Sequence, residues 1–172
     1  MIAWRERAGS TPRDGAETGT QHQGRKGLLF VLAFGLSVAM QSNAAADCWD
    51  AVSVKYGIPV ALLKAIAEQE SGFNNHAENR NRNGSRDVCM MQINSIHFPE
   101  LERRFGITEQ KLKADKCTCL DVGAWILYNN VQRLGQGWNA VGAYNAASPE
   151  KRARYAWRIY PRLEKYRAAE QR

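Results

Sequence analysis

From residue 47 onward, apolar positions recur at helical spacing, and glycines and prolines divide the recurrences into short elements. A first helix is predicted through Cys48, Trp49, Val52 and Tyr56, with Asp47 as its cap and Gly57 as its stop. Pro59 suits the first turn of a second helix that runs to about Ser71, with Gly72 at the stop position. From Phe73 to Arg86 the apolar pattern lapses. Five asparagines, three arginines and Gly84 cannot bury a face, so a surface loop with at most a short hairpin is predicted. Apolar character returns over Val88 to Ile96. Further helices are predicted near Pro99 to Phe105, at Thr108 to Leu112, from Asp121 to Leu134 with Gly135 as the stop, and from Trp138 to Ala146. Ser148-Pro149-Glu150 opens a last helix. There Ala153, Ala156, Trp157, Tyr160 and Leu163 read as one apolar stripe and Pro161 as a kink.

The first 46 residues follow a different pattern. Arg25-Lys26 precede a 13-residue apolar run, Leu28 to Met40, and small residues end at Ala44-Ala45-Ala46. This order matches a cleavable secretory signal, with cut after Ala46, behind a polar extension from Met1 to Gln23. The competing reading is a membrane span. Thirteen helical residues cover only ~20 Å, short of the ~30 Å hydrocarbon core. An exported or periplasmic chain is therefore expected, with no integral span once the signal is removed.

The 172 residues carry 24 basic and 17 acidic side chains, a net charge of +7. Removing residues 1–46 leaves 19 against 14, and residues 151–172 alone hold eight against two. The remainder of the domain is nearly neutral. The basic tail reads as the solvated face of a core helix, or as an attraction to an anionic partner or surface. Nucleic acid does not fit an exported chain that lacks a binding motif. All four cysteines (Cys48, Cys89, Cys117, Cys119) follow the cleavage point, so an oxidising compartment favours disulfides. Zinc at Cys117-x-Cys119 with His97 or His76 is the alternative, and it lacks paired CxxC spacing.

One acid stands where acids are unusual. Leu62, Leu63 and Ile66 define the inward stripe of the second helix, while Lys64 and Glu68 share the outer face. Glu70, four residues beyond Ile66, falls on the inward stripe and in the last turn. Desolvation and the negative end of the helix dipole both favour its protonated form. If the helix instead frays at Gln69, Glu70 sits solvated at the rim. Asp87, across the polar loop, borders an apolar run; it reads equally as a second functional carboxylate or as a loop brace. A protonated acid opposite an ionised one is the arrangement that cleaves glycosidic bonds, for which lysozyme is the standard example.

Glu70-Ser71-Gly72-Phe73, the loop Asn79 to Gly84, Asp87-Val88-Cys89-Met90-Met91-Gln92-Ile93-Asn94 and Ala143-Tyr144-Asn145 resemble, in order and spacing, the motifs of soluble lytic transglycosylases, members of the lysozyme-like superfamily. The likeness spans nearly all of 47–147. It is strongest to small exported enzymes that accompany type III secretion, pilus and conjugation machinery. It implies a mainly α, lysozyme-like single domain over 47–172, with a short β or irregular segment around 74–90, an extended substrate groove and a basic terminal helix from about 149. It also implies a monomer acting on peptidoglycan strands without a cofactor or metal.

By the same resemblance Glu70 is the sole acid and base, giving a 1,6-anhydro sugar without water, with Asp87 as a possible auxiliary. Ser71, Gln92 and Asn94 match positions that hold N-acetyl groups or order the site, and Asn145 is a substrate-binding candidate that follows Tyr144 in the motif. Tyr144 matches a tyrosine that hydrogen-bonds the glutamate, and Met91 a groove-lining methionine. Each also has a plain structural reading as cap, turn or core. Cys89 and Ala147 depart from the family's usual glycines, so the backbone at 89 must tolerate a Cβ. Cys48–Cys117 resembles the usual bridge of the subset, and Cys89–Cys119 is the expected second pair. Hydrolytic muramidase and non-catalytic peptidoglycan-binding scaffold remain as alternatives.

Overall fold

The computed structural model of the protein describes residues 48–172. The expected leader, with its cut after Ala46, and the expected cap at Asp47 lie outside the described residues. Seven helices and a three-stranded sheet follow in the order α1 (Cys48–Tyr56), α2 (Val60–Ser71), β1 (Glu78–Arg80), β2 (Arg86–Val88), β3 (Ile93–Asn94), a 3₁₀ turn (Ser95–His97), α3 (Phe98–Phe105), α4 (Glu109–Ala114), α5 (Lys116–Leu134), α6 (Trp138–Gly142) and α7 (Pro149–Glu170). The fold is the mainly α one that the sequence predicts. Among the described residues no helix is long and apolar enough to cross a membrane.

The core gathers around α2, whose Leu62, Leu63 and Ile66 are fully buried, as the spacing requires. α7 packs along α2, α6 lies between α7 and α5, and α1 rests on α5. Leu120 and Leu127 of α5, Ile159 and Leu163 of α7 and Met91 and Ile93 of the intervening segment complete it.

Three expectations are corrected. α5 begins at Lys116 rather than Asp121, because Asp115 caps it: its carboxylate accepts the Cys117 N–H at 2.9 Å and the Thr118 hydroxyl at 2.6 Å. α6 stops at Gly142, short of Ala146, and turns carry the chain onward. The buried row of α7 is Tyr155, Ala156, Ile159 and Leu163, whereas Ala153 is exposed, Trp157 is 71% exposed and Tyr160 40%. Two apolar rows lie side by side on this helix, and the inner one contains a tyrosine whose polar tip has a partner in the core. α7 runs through Pro161 as one helix.

The loop of 74–90 does contain a hairpin. β1, β2 and β3 form an antiparallel sheet in sequence order, with Asn79 opposite Asp87 and Asp87 opposite Asn94. That register places three polar side chains in one row on one face.

Candidate active site

Glu70 is held at the end of an intact helix. Gly72 takes the left-handed conformation (φ 61°) and its N–H bonds the Glu68 carbonyl at 3.1 Å, while the Phe73 N–H reaches the Ala67 carbonyl at 3.4 Å. This double closure is the glycine-terminated helix end, and it excludes fraying at Gln69. Glu70 is half-buried, and its Oε1 accepts a short hydrogen bond from the Tyr155 hydroxyl of α7. Burial is the main force on its carboxyl, and the charge of Asp87 acts in the same sense. The Tyr155 hydrogen bond and the Arg158 charge oppose them, and the net result is a pKa raised to about 7. Burial and the nearby Glu70 in turn drive the Tyr155 phenol well above its usual range, so it acts as a donor.

Asp87 occupies the middle strand and is fixed from both sides. Asn94 Nδ2 donates to its Oδ1 at 2.6 Å, while Asn81 Nδ2 and Asn79 Nδ2 donate to its Oδ2 at 2.9 and 3.3 Å. Two of these donors are its cross-strand neighbours, so sheet register alone aligns them. Asn94 also accepts the Ile96 N–H at 3.0 Å through its Oδ1, which caps the 3₁₀ turn.

The segment 89–92, between β2 and β3, contains two left-handed residues. Cys89 has φ 63° and Gln92 φ 49°. These are angles that a Cβ disfavours, in keeping with the glycine usual at position 89. Four anchors keep the path. Cys89 is bonded to Cys119 of α5. The Ser71 hydroxyl donates to the Met90 carbonyl at 2.8 Å. The Tyr144 hydroxyl donates to the Met91 carbonyl at 2.9 Å. The Gln92 side-chain amide donates to the Cys89 and Ala77 carbonyls at 3.1 and 3.3 Å. The second disulfide, Cys48–Cys117, ties α1 to the start of α5. Both expected bridges are present, and no cysteine remains as a thiolate for zinc.

A cleft of about 790 Å³ opens over this segment, within the range of ligand sites. Of the residues expected in the site, Glu70, Asp87, Gln92, Asn94, Tyr144 and Asn145 line it. Ser71 and Met91 do not. Met91 is fully buried against Gly123 of α5, so it is core rather than groove wall, and Ser71 acts on the segment from behind. The tyrosine on the glutamate is Tyr155, not Tyr144. The Tyr144 ring stacks on that of Tyr155 with centroids 6.5 Å apart, and its hydroxyl is spent on Met91. Asn94 was among the expected site residues, though not as a partner of Asp87, while Asn130, Arg133, Lys151 and Arg152 of the far wall had no pattern to reveal them. His97 also lines the cleft, and burial pushes its pKa below the usual value despite Glu100 nearby.

A helical domain that presents one carboxyl near neutrality across a cleft from a second, amide-held carboxylate is the arrangement of an enzyme that breaks glycosidic bonds. Family comparison agrees: the transglycosylase SLT domain profile matches residues 47–156, and the chain belongs to that family of lytic transglycosylases. Among its relatives are Protein IpgF of Shigella flexneri, 49% identical over 68% of this chain and 79% of the relative. Invasion protein IagB of Salmonella typhi is 42% identical over 75% and 84% respectively. A peptidoglycan-binding-like protein of Escherichia coli O157:H7 is 33% identical over 76% and 86%.

Proposed function

We propose that the protein cleaves the β-1,4 bond between N-acetylmuramic acid and N-acetylglucosamine in peptidoglycan, closing a 1,6-anhydro ring on the muramoyl product. The observation that carries this reading is the Glu70 carboxyl, half-buried in the cleft and titrating at about 7, so that a large share of molecules hold the proton at neutral pH. Glu70 gives its proton to the glycosidic oxygen as the bond from the muramoyl anomeric carbon breaks, releasing the glucosamine 4-hydroxyl. The Glu70 carboxylate then takes the proton of the muramoyl 6-hydroxyl as that oxygen bonds the anomeric carbon. The enzyme ends protonated as it began, and no water is consumed. Attack within one sugar gains from preset geometry, which is why one carboxyl suffices.

Gln92, Asn94, Tyr144 and Asn145 are the substrate-facing side chains in this reading, and Ser71 and Met91 position the 89–92 backbone. An amino-terminal signal removed after Ala46 would deliver the enzyme to the periplasm. We further propose that it opens the wall locally during assembly of a secretion or pilus apparatus, a reading in keeping with the name of its relative, Invasion protein IagB.

Asp87 favours a second reading, hydrolysis. An amide-held carboxylate facing Glu70 can stabilise an oxocarbenium-like centre or direct a water to it. Mass spectrometry of digested sacculi separates the two: anhydro-muramoyl ends support transglycosylation, and reducing ends support hydrolysis. Glu70→Gln should bind sacculi without clearing them. Clearing at the wild-type rate would remove Glu70 from the chemistry.

A further inference from the structure

The far wall of the cleft, from the end of α5 and the start of α7, has no role in that chemistry. Asn130 sits there, 7% exposed. Its Oδ1 accepts from the Arg133 guanidinium at 2.9 Å, and its Nδ2 has no partner. The orientation of the amide is fixed by that bond, since turning it over would set N–H against N–H. A buried amide donor left without an acceptor costs about 1–3 kcal/mol, which an alanine at the same position would not. The unfilled valence therefore asks for an acceptor from outside the chain.

Two cations line the same cleft, and one of them, Arg133, is bonded to it. Arg133 and Lys151 are exposed, line the cleft and form no ion pair among the described residues. Arg152 beside them is already committed, to the Ala146 carbonyl at 3.1 Å and to Asn139 Oδ1 at 3.3 Å. Carboxylates at other surfaces of the molecule have drawn in their cations: Lys55 on Asp121, Arg86 on Glu109, Lys113 on Glu78 and Lys165 on Glu68. At this wall the donors are present and the acid is missing.

We propose that Asn130, Arg133 and Lys151 form a carboxylate-binding subsite that takes the anionic arm of the glycan substrate, either the lactyl carboxylate of muramic acid or a carboxylate of the peptide stem built on it. The proposal rests on the reading of the cleft as a glycan site. Asn130 holds the guanidinium at the cleft wall. Arg133 keeps its bond to Asn130 Oδ1, and the unpartnered amide nitrogen is a further donor on the same wall. Guanidinium and amide together match the two oxygens of a carboxylate, and Lys151 adds a point charge.

The test measures binding by the non-cleaving Glu70→Gln protein to three probes of equal sugar length: stem-bearing glycan strands, stem-stripped strands with a free lactyl carboxylate, and neutral N-acetylglucosamine oligomers. At low salt the anionic strands should bind about tenfold tighter than the neutral oligomer. Adding R133Q and K151Q, both at exposed positions, should reduce that ratio to about twofold or less, and Asn130→Ala should reduce it in part. A preference confined to stem-stripped strands assigns the lactyl carboxylate, which stem-bearing strands hold as an amide; one confined to stem-bearing strands assigns a carboxylate of the peptide, and one shared by both assigns a subsite that takes either. Equal affinity for all three probes, or a ratio that survives R133Q with K151Q, overturns the subsite while leaving the glycan reading intact. An unchanged ratio in Asn130→Ala refutes the part given to the amide. Failure to bind any probe overturns the glycan reading and the subsite together.

Discussion

Tyr155 donates its phenolic hydrogen to Glu70 Oε1 from 85 positions further along the chain, joining the middle of α7 to the last turn of α2. The bond favours the ionised carboxyl, against the burial that disfavours it. Tyr155→Phe keeps the ring and deletes the donor, so the Glu70 pKa should rise. The alkaline limb of kcat/KM should move up by as much as about one pH unit, the size expected for one hydrogen bond to a charged group. A pH–rate profile checks this. An unmoved limb would mean that the bond does not reach the titrating group.

Asp87→Asn should move the same limb the other way. The Asp87 charge raises the Glu70 pKa, and the neutral amide removes that push. Product analysis supplies an independent readout: if Asp87 directs water, the fraction of reducing ends falls in the variant while anhydro ends persist.

Stability should carry the same signature. The folded pKa of Glu70, about 7, exceeds the ordinary 4.5. Its stabilising contribution is therefore complete below about 4.5 and lost as pH rises through 7. Relative to Glu70→Gln, the unfolding free energy of wild type should drop by roughly 3 kcal/mol between pH 4 and pH 8. Paired denaturant titrations measure the difference, and a constant gap would contradict the shift.

Much of this site was legible in the sequence, for identifiable reasons. Glu70 broke a strong local rule, an acid on an apolar stripe at the wrong end of a helix dipole, and such conflicts stand out without coordinates. The hairpin was visible only as polar character, because strands of three residues give too few alternations to show a period. Tyr155 was hidden by its neighbours. Trp157 and Tyr160 suggested an apolar row by size, and nothing local says that a tyrosine one row away has a glutamate to meet. Asn130 was unreadable for the same reason: its meaning depends on Arg133 and on a cleft assembled from distant segments.

The disulfide at the site should show a dependence on backbone as well as on the bridge. Removing Cys89–Cys119 by Cys89→Ala with Cys119→Ala should cost about 3 kcal/mol for a loop of 30 residues. Because Cys89 has φ 63°, Cys89→Gly with Cys119→Ala should recover about 1 kcal/mol of that loss. Thermal unfolding of the two variants decides between them, and equal midpoints would argue against strain at position 89.

Gly123 is a spacing device. A Cβ there would stand 2.7 Å from Met91 Cε and 2.9 Å from Met91 Cβ, so Gly123→Ala must push the 89–92 segment off α5. A loss of about 1–3 kcal/mol is expected, with a larger fall in activity than in fold, since Gln92 and the Met91 carbonyl move with it. Activity that tracked the folded fraction alone would show that the cleft does not depend on this packing.

The direct test is titration of the Glu70 side-chain carbon by NMR, with carboxyl-labelled glutamate and Glu70→Gln to assign the resonance. A midpoint near 7 is predicted, well above the ordinary 4.5 of a solvated acid. A midpoint at the ordinary 4.5 would mean that the carboxyl is bare of its proton when the glycan arrives, and the chemistry assigned to it would have to lie elsewhere.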